Sequence, residues 1–99
     1  MKSSGDVPES LLSTCNMLCL AYPSGIPDSD YFPLLSILAE DMSERAIGHV
    51  IEICGFRPDR IIVGNDVAKA LSVCRPTESE IARVRAHLGQ AGYQEWLSE

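Results

Sequence analysis

The chain has 99 residues, with 14 carboxylates against 8 Lys plus Arg, for a formal net charge of -6. That length suits one domain around one core, and 45% hydrophobic with 22% charged residues is a globular composition that excludes wholesale disorder and low-complexity chains. The charge is lopsided. Through Cys54 two basic residues, Lys2 and Arg45, face eight acids, whereas from Gly55 onward six bases balance six acids. An acidic half repels phosphate, so it disfavours nucleic acid and anionic membranes and favours a basic partner.

In chain order, Asp6 and Glu9 form a capping-box-like start with Pro8 at a tolerated position, and a first helix is expected from Pro8 to Tyr22. At about 100° per residue Leu11, Leu12, Cys15, Leu18, Cys19 and Tyr22 fall on one arc, read as the core stripe, with Met17 and Leu20 outside it. Pro23 ends this helix and Ser24-Gly25 turns the chain. Asp28 or Ser29 is expected to cap a second helix carrying Leu34, Leu35, Ile37 and Leu38. With Ser29 as cap, Pro33 falls at the fourth helical position, where its missing N-H costs nothing. Ser43 caps a third helix through Ala46, Ile47, Val50, Ile51, Ile53 and Cys54, closed by Gly55.

Arg60-Ile61-Ile62-Val63 reads locally as a strand, but the chain contains no second β-branched run to pair with it, so an extended segment is expected. Gly64 or Asn65 then caps a short fourth helix with Val67, Ala70, Leu71 and Cys74 inward. Pro76 closes it, and Thr77-Glu78-Ser79-Glu80 is a capping box for a fifth helix with Ile81, Val84, Leu88 and Ala91 on one face. Tyr93 and Trp96 follow as aromatics able to fold back over the bundle edge. The expected fold is an all-α, compact single-domain bundle of five α-helices spanning 1–99, ordered over about 8–93, with a core of Leu11, Cys15, Leu18, Tyr22, Leu34, Leu35, Leu38, Ile47, Val50, Ile51, Cys54, Leu71, Ile81, Val84 and Leu88.

The start of the chain lacks the apolar run of a signal peptide. The longest greasy segment, Leu11 to Tyr22, is polar-interrupted and shorter than the ~20 residues a bilayer span requires. The expectation is a cytoplasmic monomer with Cys15, Cys19, Cys54 and Cys74 as reduced thiols. Cys15 and Cys19, four apart on a helix, could chelate a metal with His49 or Cys54. Their place in the apolar stripe argues instead for small buried hydrophobes, so no metal and no cofactor are expected.

No catalytic residues are assigned. His49 and His87 read as outward-facing and lack a nucleophile at a recognisable spacing. The fourth and fifth helices have the outline of a helix-turn-helix in which Arg83 and Arg85 would read nucleic acid. Glu78 and Glu80 occupy the turn that would approach phosphate, however, and a pair with Glu80 accounts for Arg83.

The run Pro27-Asp28-Ser29-Asp30-Tyr31-Phe32-Pro33-Leu34-Leu35, preceded by Ala21-Tyr22-Pro23-Ser24-Gly25-Ile26, resembles the signature of a family of small uncharacterised proteins, domain of unknown function 3349, found mainly in mycobacteria and related actinobacteria. Ile81-Ala82-Arg83-Val84-Arg85-Ala86-His87-Leu88 with Gly92 is similar to that family's last helix. Arg60 to Asn65 and the tail from Tyr93 depart from its pattern. The resemblance implies a cytoplasmic, monomeric five-helix bundle and carries over no catalytic residues.

The function expected is a non-enzymatic protein-interaction module. The alternatives are a small-molecule binder or enzyme of unrecognised type, or a nucleic-acid-binding helix-turn-helix variant. The expected partner surface is Met17, Leu20, Tyr31, Phe32 and Trp96, large apolar side chains outside the helical stripes, facing a basic protein.

Overall fold

The computed structural model describes residues 9–97, as six helices in the order α1 (Glu9–Ala21), α2 (Asp28–Leu38), α3 (Glu44–Ile53), α4 (Arg60–Ala70), α5 (Glu78–Gly89) and α6 (Tyr93–Leu97). No strand occurs among these residues. The all-α bundle is therefore five helices of 10 to 13 residues and one short C-terminal helix of 5. The expected start at Asp6 and Pro8 lies outside the described residues. The Cα radius of gyration is 12.8 Å, as expected for a compact chain of this length.

Local chemistry accounts for three helix ends. Ser43 accepts a hydrogen bond from the Ala46 N-H at the start of α3. Its end is a Schellman turn, in which Gly55 takes φ +82°, its N-H reaches the Glu52 carbonyl and the Phe56 N-H reaches that of Ile51. The capping box at Thr77 is complete: its Oγ1 accepts from the Glu80 N-H while Glu80 Oε1 accepts from the Thr77 N-H.

The start of α2 corrects the expected one. Pro27 is the cap, with no side-chain hydrogen bond, which places Pro33 at the sixth helical position. There the missing N-H leaves the Ser29 carbonyl without its helical donor.

The segment Arg60 to Val63 is the largest correction, because it is the first turn of α4 and not extended chain. Two carboxylates make it helical. Asp59, not Gly64 or Asn65, is the cap and accepts from the Ile61 N-H at 2.8 Å, and Glu52 of α3 accepts from both the Arg60 N-H (3.2 Å) and its Nε (3.0 Å). Four orphan N-H groups open any helix, and here one acid from each helix of a packed pair takes one of them. The two helices approach closely at Gly48, where a Cβ would stand 2.7 Å from the Arg60 carbonyl oxygen.

Most of the expected core is buried, namely Leu11, Leu18, Tyr22, Leu34, Leu35, Leu38, Ile47, Val50, Ile51, Val84 and Leu88. Cys15, Cys54 and Ile81 pack against it only half-buried. Leu71 is 51% exposed and Cys74 is exposed as well. Both were expected inward, but α4 is capped five or six residues earlier than expected and ends at Ala70, so they follow the helix and leave its buried face. Val63, Val67 and Ala70 form that face instead.

Candidate functional site

In α1 the buried residues are Leu11, Thr14, Met17, Leu18 and Ala21, a face turned by roughly a quarter turn from the apolar stripe. Hydropathy misleads here because two inconspicuous residues lie where neighbours pack. Ala21 is small, and the Thr14 hydroxyl accepts from Trp96 Nε1 at 2.7 Å, which removes the cost of burying it. Helices α3, α5 and α6 all pack on α1. Met17, expected outside the stripe, is therefore core, while Leu12 and Cys19, expected inside it, are exposed.

Among the described side chains, the outward side of α1 holds Leu12, Asn16, Cys19 and Leu20, with Leu12 46% and Leu20 71% exposed. These four fall within an arc of about 100°. None of these four is charged. At its C-terminal end this face meets an open cleft of about 480 Å³, lined by Cys19, Tyr22 and the Pro23 to Gly25 turn on one side and by Cys54, Gly55 and Phe56 on the other.

Below the cleft, the Cys15 and Cys54 sulfurs form a disulfide between α1 and the cap of α3, with the Cα atoms 6.0 Å apart. The expectation of four reduced thiols is corrected accordingly. The Cys19 sulfur completes a group in which all three Sγ atoms lie within 4.8 Å of one another. His49 is not part of that group, and Cys74 is a free, exposed cysteine elsewhere.

Behind the cleft, α2 and α5 are joined by a polar network. Tyr22 Oη donates to Asp30 Oδ2 at 3.0 Å, and Arg83 donates through Nη1 to Asp30 Oδ1 at 2.6 Å and through Nη2 to the Ser29 carbonyl at 3.2 Å. Burial opposes the charged form of Asp30, but the hydrogen bonds from Arg83 and Tyr22 outweigh it and hold the carboxyl below its usual range. Burial, reinforced by Asp30, raises the Tyr22 phenol well above its ordinary value. His87 is not outward-facing: its Nε2 donates to the Ala21 carbonyl at 2.6 Å and its ring lies 4.8 Å from that of Tyr22. This bond fixes the Nε2-H tautomer, since a carbonyl can only accept.

The other expected site residues scatter. Tyr31 is buried, donates to Asp66 Oδ2 at 2.8 Å and carries the Arg57 guanidinium 4.4 Å above its ring. Phe32 and Trp96 pack half-buried against the core. Of the five residues named as a partner surface, Leu20 alone is exposed, so Met17, Tyr31, Phe32 and Trp96 do not extend it. Arg83 pairs with Asp30 rather than with its helical neighbour Glu80, and Arg85 Nη2 pairs with Glu40 Oε2 at 2.8 Å, so both guanidinium groups are held by carboxylates of the α2 region. No helix among the described residues is long and apolar enough to cross a membrane.

No curated protein matches the chain, and no solved structure does. One family profile does, that of Protein of unknown function (DUF3349), and it aligns over residues 9–96, every helix of the bundle but its last residue. The chain therefore belongs to the family of proteins of unknown function DUF3349.

Proposed function

We propose that the chain works as a protein-interaction module, receiving on the outer face of α1 an apolar helix of a partner protein flanked by basic residues. The observation that carries this reading is the pair of aliphatic side chains Leu12 and Leu20, exposed on a helix whose opposite side is core. Charged groups are depleted at the centres of interfaces, and exposed aliphatic patches mark contact surfaces. The entire net charge of -6 lies in the sequence through Cys54, which contains α1. A net negative chain steers a basic partner and disfavours a second copy of itself.

Affinity purification with the full chain and its Leu20→Asp variant tests this. The expected result is a captured protein with a basic, apolar helix, lost by about tenfold or more in the variant and weakened by added salt. Capture unchanged in a variant that keeps its helicity overturns the reading.

A further inference from the structure

We infer that Cys15, Cys19 and Cys54 form, in the reduced protein, a tri-thiolate site for a thiophilic d10 cation, zinc in the first instance, with a fourth coordination position open to the cleft. The claim goes beyond the interaction reading and does not depend on it. It rests on three features.

The first is convergence. Cys15 and Cys19 are one turn apart on α1, so their sulfurs share a side, and the end of α3 brings in Cys54 so that all three Sγ atoms lie within 4.8 Å of one another. A tetrahedral zinc with Zn–S bonds of about 2.3 Å holds its sulfurs about 3.8 Å apart. Once the Cys15–Cys54 bond is open, small side-chain rotations bring the three sulfurs to that spacing.

The second is electrostatic. Cys19 lies in the last turn of α1 and Cys54 caps the C-terminus of α3, and neither helix has a basic residue in its last turn. Two helix C-termini present partial negative charge, which favours a cation between them. A bound metal supplies the missing positive charge and deprotonates the thiols itself. The third feature is access: Cys19 is exposed, and it and Cys54 line the cleft, so a water or an external donor can fill the fourth position.

The chemistry balances with a dithiol reductant. The dithiol gives two electrons and two protons to the Cys15–Cys54 disulfide and becomes a cyclic disulfide, leaving thiols at Cys15 and Cys54. Binding of Zn²⁺ to the three thiols then displaces their protons to solvent. In the reverse direction a disulfide oxidant takes two electrons from the Cys15 and Cys54 thiolates, leaves as a dithiol after taking two protons from solvent, and closes their bond, which releases the metal and makes the site redox-gated.

Cobalt(II) titration of the full chain, reduced and freed of reductant under anaerobic conditions, tests this. One equivalent should give a sulfur-to-cobalt charge-transfer band and the intense visible absorption of a tetrahedral site, both abolished by zinc. Cys19→Ser, at an exposed position outside the disulfide, should lower the affinity by at least about tenfold, Cys74→Ser should leave it unchanged, and the oxidised protein should give no band. If reduction melts the helices, zinc should restore the circular-dichroism signal. Absence of the band in reduced wild-type protein, wild-type affinity in Cys19→Ser, or a melted reduced chain that zinc does not refold each overturns the inference.

Discussion

Arg83 on α5 grips Asp30 on α2 from 53 residues away, and the same guanidinium takes the Ser29 carbonyl, the group that Pro33 leaves without a helical donor. A residue that breaks the hydrogen-bond ladder of α2 thus creates the acceptor that helps hold α5 against it. The pair has a pH signature. The Asp30 carboxyl is held below its ordinary range in the folded chain, so its contribution is fully present above the unfolded pKa of about 4 and is lost as the pH falls through the folded value. Asp30→Asn should cost about 1 kcal/mol near neutrality, discounted because the Arg83 side chain is half exposed. In urea titrations the gap between wild type and variant should narrow as the pH is taken below about 4; a gap that does not change with pH would show that the charge contributes nothing.

Gly48 sets the distance between α3 and α4. Gly48→Ala gains about 1 kcal/mol of helix propensity. The added Cβ, however, would meet the Arg60 carbonyl at 2.7 Å, backbone that cannot swing aside, and overpacking of that kind costs about 1–3 kcal/mol. A net loss of about 1 kcal/mol is expected in chemical denaturation, and a stabilised variant would mean that α4 slides freely along α3.

The elements with local signals were legible. Ser43, Gly55 and the Thr77 box are read from neighbouring residues alone, and all three take the expected roles. Where the reading fails, a distant residue decides. Arg60 to Val63 has strand-forming residues, yet Asp59 and, from another helix, Glu52 cap it as α4. Tyr31 looks like a surface aromatic until Asp66, 35 positions on, accepts its hydroxyl. The α1 face was misassigned for the same reason, since a threonine counts as polar unless the donor 82 residues away is known. The cysteine cluster was half legible: the spacing of Cys15 and Cys19 indicates a shared side, but the third sulfur depends on how α3 ends against α1.

The disulfide should contribute through the unfolded chain. It joins residues 39 apart in sequence, and closing a loop of that size removes roughly 3–4 kcal/mol of unfolded-state entropy. Cys54→Ala in oxidised protein should therefore lower stability by about 3 kcal/mol in guanidinium titration, with Cys74→Ala unchanged. Equal stability of the Cys54 variant and the oxidised wild type would show that the bond does not persist in solution.

The last contact fixes the tail. Trp96 Nε1 donates to the buried Thr14 hydroxyl at 2.7 Å, the indole stacks 5.7 Å from the Tyr93 ring, and Tyr93 is fully buried. Short α6 has too few internal hydrogen bonds to persist alone, so its place depends on these anchors. Thr14→Val keeps the shape and removes the acceptor, leaving a half-buried N-H without its partner, at a cost of about 1–2 kcal/mol. Thr14→Ser keeps the oxygen and should largely preserve the tail. The chain has a single tryptophan, so its emission reports this site alone: the valine variant should emit at longer wavelength and be quenched more readily by iodide, the serine variant close to wild type. Identical spectra for wild type and Thr14→Val would mean that packing against Tyr93 holds α6 without the hydrogen bond.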